Sequence, residues 1–240
     1  MNVFVFASLV ACPQVSGFIG RSSLRPAIFA LSAKKAATFG MGCFWAPSER
    51  LLKTEGVLDT VVGYTGNPSA EKAPTYDNVC FGQSWVEGVR VVYDDSKVSY
   101  EQLLDAFFEA QEPKLGSRQY ASIIFPHNDE QDSIAKEWIE KGIREKKVRK
   151  DGVPVDITQI EPLSPFYQAE GYHQRYWQKQ RPRFAAAVAL LAVASGGFDS
   201  YVPQAYHSVL HTAANSAVLL GCAYVVLERK IDAKVVQLSS

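Results

Sequence analysis

The chain changes abruptly from strand to helix composition around Cys43, and this change limits the folds it can adopt. Residues 36–40 are mostly apolar, as in a short buried strand, whereas Pro47 suits a first helical turn and residues 49–52 are helix formers. Unpaired N–H groups at a helix N-terminus stabilise an anionic sulfur, so this position predicts a lowered pKa for Cys43. The alternative is a buried structural cysteine, because a free cysteine packs like a small hydrophobic residue.

Strand and helix patterns alternate along the middle of the chain. Strand composition occurs in residues 60–64, 86–93, 122–125 and 153–160, and helix composition in residues 99–108 and 129–144. Ser99 and Gln102 have the spacing of a capping box, which marks the start of the first of these helices. The alternation predicts a mixed α and β protein.

The charge and cysteine content argue against several classes of protein. Twenty-five Lys and Arg balance 25 Asp and Glu, so the sequence offers no basic footprint for nucleic acid. Four cysteines in 240 residues are too sparse for a disulfide framework and lack the paired spacing of a zinc site. We therefore expect no bound metal and a reducing compartment.

Five separated blocks of sequence follow Cys43 in a defined order. They are residues 74–80, 86–94, 99–104, 119–123 and 165–176. In order and spacing the blocks closely resemble the A-type peptide methionine sulfoxide reductases. The resemblance implies an α+β fold for a catalytic domain at residues 36–182, a two-layer sandwich in which helices back a mixed sheet around a ferredoxin-like core.

The resemblance also implies a reaction. Enzymes of this family reduce methionine S-sulfoxide in peptides and so repair oxidised proteins; the sequence leaves open whether the free amino acid is also a substrate. Cys43 matches the family's attacking residue, which becomes a sulfenic acid, and Glu87 matches the acid that protonates the sulfoxide oxygen. The residues that match the family's substrate-binding positions are Phe44, Trp45, Tyr76 and Tyr120.

Three positions depart from the family pattern. Leu115 stands where the family supplies an Asp to the active-site network, Trp85 replaces a usual His, and Ala46 replaces a usual Gly. These changes leave a second function open, a non-catalytic descendant that binds methionine sulfoxide or senses thiol redox state. A Cys–His hydrolase using His173 is a further alternative, although the sequence has no recognisable oxyanion motif.

The sequence does not assign a thiol that regenerates the enzyme. Cys222 is the candidate late in the chain, but its apolar neighbours predict a buried, inert thiol. We expect no bound cofactor and direct reduction by an external thiol, glutathione with glutaredoxin. The alternative is an internal disulfide opened by thioredoxin.

Residues 1–35 have the composition of a targeting leader. No Asp or Glu occurs before Glu49, and an apolar run at residues 3–12 precedes Ser and basic residues. This order resembles the bipartite leaders of plastid proteins in algae with complex plastids, where an aromatic such as Phe18 follows the signal cleavage point. We expect import into a plastid (chloroplast), with the mitochondrion or the secretory pathway as alternatives.

Residues 183–240 form an apolar tail of unknown role. Residues 184–194 are too short for a bilayer, whereas residues 208–227 hold no formal charge and reach the length of a membrane span. The second stretch nevertheless carries polar residues such as His211 and Asn215. A packed helical hairpin is the prediction, and membrane contact through the tail is the alternative.

Overall fold

A computed structural model describes residues 34–149 and 151–239, with residues 233–239 described by their backbone alone, and all lie in one compact unit, Ser32–Ser240. In chain order the described strands and helices are β1 (Lys34–Met41), α1 (Trp45–Leu52), β2 (Val57–Thr65), α2 (Tyr76–Phe81), β3 (Val86–Asp94), α3 (Tyr100–Ala110), β4 (Ser122–Phe125), α4 (Asp129–Arg144), β5 (Gln159–Ile160), β6 (Tyr167–Gln168), α5 (Tyr176–Ala194) and α6 (His207–Ser239). The predicted leader lies outside the described residues, apart from Lys34 and Lys35, which begin β1.

The six strands form one mixed sheet in the order β5-β4-β1-β3-β2-β6. The central strands β1 and β3 are antiparallel, with Phe39 opposite Val89. The β4–β5 pair is parallel and the remaining pairs are antiparallel. The predicted α+β class and mixed sheet are therefore confirmed.

Helices α3 and α4 cover one face of the sheet with aromatic side chains. The ring of Phe107 stacks on Phe39 of β1 with centroids 4.8 Å apart, and Trp138 of α4 meets Phe108 edge-on at 5.8 Å. All three phenylalanines are fully buried. Truncating such a side chain to Ala costs about 3–5 kcal/mol, so this layer contributes heavily to the stability of the scaffold under the site.

Local signals predicted α3 and α4 well. The Gln102 amide donates to Ser99 Oγ at 3.2 Å and the Ser99 amide donates to Gln102 Oε1 at 2.9 Å, which completes the predicted capping box. α4 has the predicted bounds, Asp129–Arg144.

The predicted β segment at residues 153–160 is wrong for most of its length. Residues Val155–Ile157 form a turn of 3₁₀ helix, and only Gln159–Ile160 pair with β4. Val155 is buried against α4, where the absence of a side chain at Gly142 leaves room for it. Packing against a helix therefore overrides the β propensity of this stretch.

Helices α5 and α6 pair as the predicted hairpin, and the expected tail boundary at residue 183 falls inside α5. The expectation that the hairpin is packed is wrong for much of its surface. Leu219 and Leu220 of α6 are 70% and 71% exposed. Helix formation here is thus not accompanied by burial of the apolar side chains.

Candidate active site

Cys43 lies between the end of β1 and the start of α1, where the sequence predicted this transition. Gly42 has a φ of +78°, and a Cβ at this position would collide with the carbonyl group of Glu112. The Glu112 amide also donates to the Met41 carbonyl at 2.7 Å. These contacts turn the chain so that half-buried Cys43 immediately precedes Phe44, the N-cap residue of α1.

Glu87 of β3 faces this turn. The amide of Phe44 donates to Glu87 Oε2 at 3.2 Å, and Gln119 Nε2 donates to Glu87 Oε1 at 2.7 Å. The Glu87 side chain is only 2% exposed, and this burial raises its pKa to about 7 against the opposing effect of the two donors and of Lys114. A carboxyl group that titrates near neutral pH therefore lies beside the residue that follows Cys43.

The predicted lowering of the Cys43 pKa is wrong. Burial raises the pKa of the Cys43 thiol, and the negative charges of Glu87 and Glu112 raise it further. The backbone N–H of Trp45, at the start of α1, and the Lys114 ammonium act in the opposite direction, as the helix argument expected. The error arose because the sequence reveals the helix start but not the desolvation of the sulfur.

The two predicted tyrosines lie in the same electrostatic environment. Burial raises the pKa of Tyr120 to about 12, with contributions from the charges of Glu87, Cys43 and Cys80. Burial is also the main cause of the raised pKa of Tyr76, and Cys80, Glu87 and Tyr120 raise it further. Both hydroxyl groups therefore keep their protons at neutral pH and can act as hydrogen-bond donors in the site.

Trp45 is held between two aromatic partners. Its indole Nε1 donates to His173 Nδ1 at 2.9 Å, and its ring stacks on Tyr176 with centroids 3.8 Å apart. Burial lowers the pKa of His173 to about 3, so this histidine is neutral. His173 therefore supports Trp45, and its low basicity argues against the hydrolase alternative, in which it would take a proton from Cys43.

Phe44 is buried beneath the site and supports it by packing. Its ring is 1% exposed and lies against Tyr64 and His173, with centroid separations of 6.1 Å and 5.2 Å. Trp45 is half-buried and so is the member of the predicted aromatic pair that is accessible from outside. In this structure Phe44 supports the apolar wall, and Trp45 forms its outer part.

The segment that departs from the family pattern brings a cation to the site. Leu115, at the position of the missing Asp, is 83% exposed. The neighbouring Lys114 instead places its Nζ 4.7 Å from the centre of the Tyr120 ring, and its amide donates to the Tyr120 carbonyl at 3.0 Å. A positive charge thus stands close to where the family has a negative one.

The described cysteines are free, and the structure changes the interpretation of two of them. Cys222 is exposed on α6, so the prediction of a buried thiol is wrong. Cys80 is half-buried in α2, and its sulfur lies 3.8 Å from Gln119 Nε2. Cys80, which sequence reasoning left without a role, therefore lies beside the residue that holds Glu87.

Gln119 is the site residue that sequence reasoning missed. It opens the block at residues 119–123 and directly precedes Tyr120, but its role depends on a contact with β3 that no local pattern reveals. The site thus combines a thiol, a carboxyl group that titrates near neutral pH and two hydroxyl donors beside an apolar wall. In the described residues, no group of three or more His, Cys, Asp or Glu side chains could hold a metal ion.

Comparisons with known proteins agree on one family. The family model described as peptide methionine sulfoxide reductase matches residues 35–195. The peptide methionine sulfoxide reductase MsrA of Methanosarcina acetivorans is 41% identical over 156 residues, which cover 60% of this chain and 78% of that protein. The protein of the same name from Methanothermobacter thermautotrophicus is 38% identical over 170 residues, covering 68% and 97% of the two chains.

Among solved structures, methionine sulfoxide reductase A of Corynebacterium diphtheriae is 26% identical, with a TM-score of 0.48 and coverage of 61% of this chain and 74% of that chain. Reduced Mxr1 from Saccharomyces cerevisiae is 28% identical, with a TM-score of 0.47 and coverage of 61% and 85%. The region matched by the family model contains every site residue described above, and Cys222 lies outside it.

Proposed function

The chain belongs to the peptide methionine sulfoxide reductase family and is an oxidoreductase that acts on methionine sulfoxide, and we propose that Cys43 is its nucleophile and Glu87 its acid. One observation carries this assignment. The amide of Phe44, the residue after Cys43, donates to the Glu87 carboxyl group at 3.2 Å, so the nucleophile and the acid lie at one site. A sulfoxide needs both, because its sulfur is a poor electrophile until its oxygen is protonated.

In the first step, the Cys43 thiolate forms a bond to the substrate sulfur while Glu87 gives its proton to the sulfoxide oxygen. The oxygen leaves as hydroxide and adds to the sulfur of Cys43, which breaks the sulfur–sulfur bond and releases the thioether. The products are methionine and Cys43 sulfenic acid. Two electrons pass from Cys43 to the substrate, the proton given by Glu87 ends on the sulfenic acid, and Glu87 is left as a carboxylate.

The pKa directions define which proton arrangement reacts. The Cys43 pKa is raised and the Glu87 pKa is about 7, so the thiolate with a protonated carboxyl group is a minor form of the free enzyme. It is reached by moving one proton from Cys43 to Glu87. For such a pair, activity rises with pH until Glu87 has ionised in the resting form, then stays level until the Cys43 thiol titrates.

The remaining site residues position the substrate. The hydroxyl groups of Tyr76 and Tyr120 donate to the sulfoxide oxygen, which carries the negative charge of the S–O bond. Trp45, supported by Phe44, contacts the methyl group and thereby presents the substrate sulfur to Cys43. The substrates are the S epimers of methionine sulfoxide in oxidised proteins and peptides, and also of the free amino acid.

Regeneration uses an external thiol. Cys43 sulfenic acid is reduced by glutathione with glutaredoxin, whereas the alternative route forms a disulfide that thioredoxin opens. The described residues hold no disulfide, and the exposed Cys222 is on the tail hairpin rather than in the site. Direct reduction requires no rearrangement of that hairpin.

The composition of residues 1–35 supports import into a plastid, with the mitochondrion or the secretory pathway as alternatives. Fusing these residues to a fluorescent protein tests the destination. Purely cytosolic fluorescence would contradict all three.

The decisive assay is reduction of the separated S and R epimers of a methionine sulfoxide peptide with dithiothreitol as reductant. We expect consumption of the S epimer alone, and only background turnover by Cys43→Ser. Turnover of the R epimer would contradict the proposed stereochemistry. A folded sample that reduces neither epimer would contradict the activity, and nothing in the matches supports the non-catalytic alternative.

A further inference from the structure

The tail hairpin carries a long apolar arm, defined here as residues 184–227. Asp199 is its one formally charged residue. Large apolar side chains are exposed on both helices, including Val188 at 67% and Leu220 at 71%. Exposed apolar surface on this scale marks a contact with another apolar phase or partner, because isolated exposed apolar residues are ordinary and contiguous ones are not.

The exposed side chains of α6 are not restricted to one face. At ~100° per residue, the exposed side chains of Leu210, Leu220 and Val226 spread over about 200° of the helix circumference. A groove on a protein partner would cover one stripe of the helix. Exposure over more than half of the circumference, with α5 packed on the remaining side, instead fits an environment that surrounds the hairpin, as lipid does.

The uncharged stretch of α6 matches a bilayer in length. The segment Gln204–Asp232 has 29 residues and reaches a mean hydropathy of 1.6 in its most apolar part, only 6% of which is buried. Its uncharged stretch, residues 208–227, spans about 30 Å at the helical rise of ~1.5 Å per residue. The hydrocarbon core of a bilayer is also about 30 Å thick.

The charge within the arm is paired inside the arm itself. His211 Nε2 lies 2.8 Å from Asp199 Oδ1, and His207 Nδ1 lies 3.6 Å from Asp199 Oδ2. Ionisable side chains in an apolar phase are costly unless they pair with one another. This cluster supplies such a pairing at the far end of the hairpin.

The turn between the helices also satisfies backbone donors internally. The amides of residues 195, 196 and 197 donate to carbonyls near the end of α5, and those of residues 199, 201, 202 and 206 donate within the turn. Lipid offers no hydrogen bonds, so non-helical backbone inside a membrane must be paired by the protein.

The opposite end of the arm is charged and is attached to the catalytic domain. Arg183 of α5 forms a double hydrogen bond to Glu228 of α6, at 2.7 Å and 2.9 Å, and Arg229 lies 5.8 Å from the centre of the Tyr172 ring. Lys179 of α5 donates to the Gly171 carbonyl at 2.6 Å. Charged side chains at the end of an apolar helix suit the headgroup region, where they can remain hydrated.

We propose that the apolar arm, residues 184–227, inserts into a lipid bilayer and holds the catalytic domain at the membrane surface. The charged end at Arg183 and Glu228 lies at the headgroups, and the turn with its Asp199–His pairs is the leading end. The partner is the bilayer itself, and a second copy of the chain is the competing occupant.

Flotation of the full chain with pure phosphatidylcholine vesicles tests the proposal. We expect the protein to float with the vesicles, and Leu219→Asp/Leu220→Asp to lose much of this binding. The matched control is Ile143→Asp/Val148→Asp, which places two acids at exposed apolar positions outside the arm and should float like the parent protein. Equal flotation of the two double variants, or no flotation of the parent, would overturn the proposal.

A second readout separates the arm from residues 1–35, which also contain an apolar run. Cys222 is exposed within the arm, so a membrane-impermeant maleimide should label it in buffer and fail to label it once vesicles are added. Labelling of Cys80, outside the arm, should be unchanged. Labelling of Cys222 that stays unchanged when vesicles are added would overturn the proposal. Protection of Cys222 already in buffer, in a dimer that binds no vesicles, would also overturn it and would identify a second copy of the chain as the occupant.

Discussion

Gln119 and Glu87 are joined by two hydrogen bonds, one between side chains and one between backbones. Gln119 Nε2 donates to Glu87 Oε1 at 2.7 Å, and the Glu87 amide donates to the Gln119 carbonyl at 2.9 Å. The backbone contact fixes the segment, and the side-chain contact fixes the carboxyl group. The orientation of the proposed acid therefore depends on a residue that precedes Tyr120, a proposed substrate donor.

Gln119→Leu should alter the pH dependence of turnover. The amide stabilises the ionised carboxylate, so its removal raises the pKa of Glu87, and the pH at which activity stops rising should move upward. Turnover should also fall on the order of tenfold, because the carboxyl group loses an orienting contact. Dithiothreitol-driven kinetics across the neutral range measure both effects. Gln111→Leu, at a buried glutamine outside the site, serves as the control, and an identical profile for both variants would argue against a positioning role.

Glu87 should make the protein less stable as the pH rises. Its pKa is about 7 in the folded protein and about 4.5 when unperturbed, so the folded state holds the proton more tightly. The stabilisation is complete below the unfolded pKa and is lost as the pH rises through about 7. Relative to Glu87→Gln, the free energy of unfolding should fall by about 3 kcal/mol across this range. Urea unfolding at a series of pH values measures the difference, and parallel curves for the two proteins would contradict the raised pKa.

Residues whose environment is set locally were predicted well. Asp129–Arg144 and the Ser99 capping box are specified by neighbouring residues, and the structure has them where expected. The pKa of Cys43 was predicted in the wrong direction because desolvation depends on chain segments distant in sequence. The same reason explains the missed Gln119, whose partner lies 32 residues away.

Lys114→Met should make Cys43 less reactive. The Lys114 ammonium lowers the pKa of the Cys43 thiol, and its loss leaves burial and the neighbouring carboxylates less opposed. At a fixed pH near neutrality, alkylation of Cys43 by iodoacetamide should slow roughly twofold to threefold, because only the thiolate reacts. Lys97→Met, at an exposed lysine elsewhere, provides the control. The alkylation rate of each cysteine is followed by mass spectrometry. Equal rates at Cys43 in the two variants would show that the Lys114 ammonium has no influence on Cys43.

Substrate added without reductant should leave Cys43 as a sulfenic acid. A dimedone-type probe should then label Cys43 in a single turnover, in Cys222→Ser as well as in the parent protein. Cys80→Ser is a second variant to test for a resolving cysteine, because Cys80 is half-buried beside Gln119. A quantitative disulfide from Cys43 to Cys222 or to Cys80 would replace direct reduction with an internal resolving step.

Gln111→Leu should stabilise the protein. The Gln111 side chain is fully buried, and its Nε2 and Oε1 have no hydrogen-bond partner within the described residues. An unpaired buried amide costs about 1–3 kcal/mol, whereas leucine adds apolar contacts in similar space, so the free energy of unfolding should rise by about 1–2 kcal/mol. Gln131 supplies the matched contrast because it is also buried but its side chain is hydrogen-bonded. The His127 amide donates to Gln131 Oε1 at 2.9 Å, and Gln131 Nε2 donates to the Ala36 carbonyl at 2.8 Å. Gln131→Leu removes these bonds and should destabilise by a similar amount, so urea midpoints that move in the same direction for both variants would contradict this account of the two glutamines.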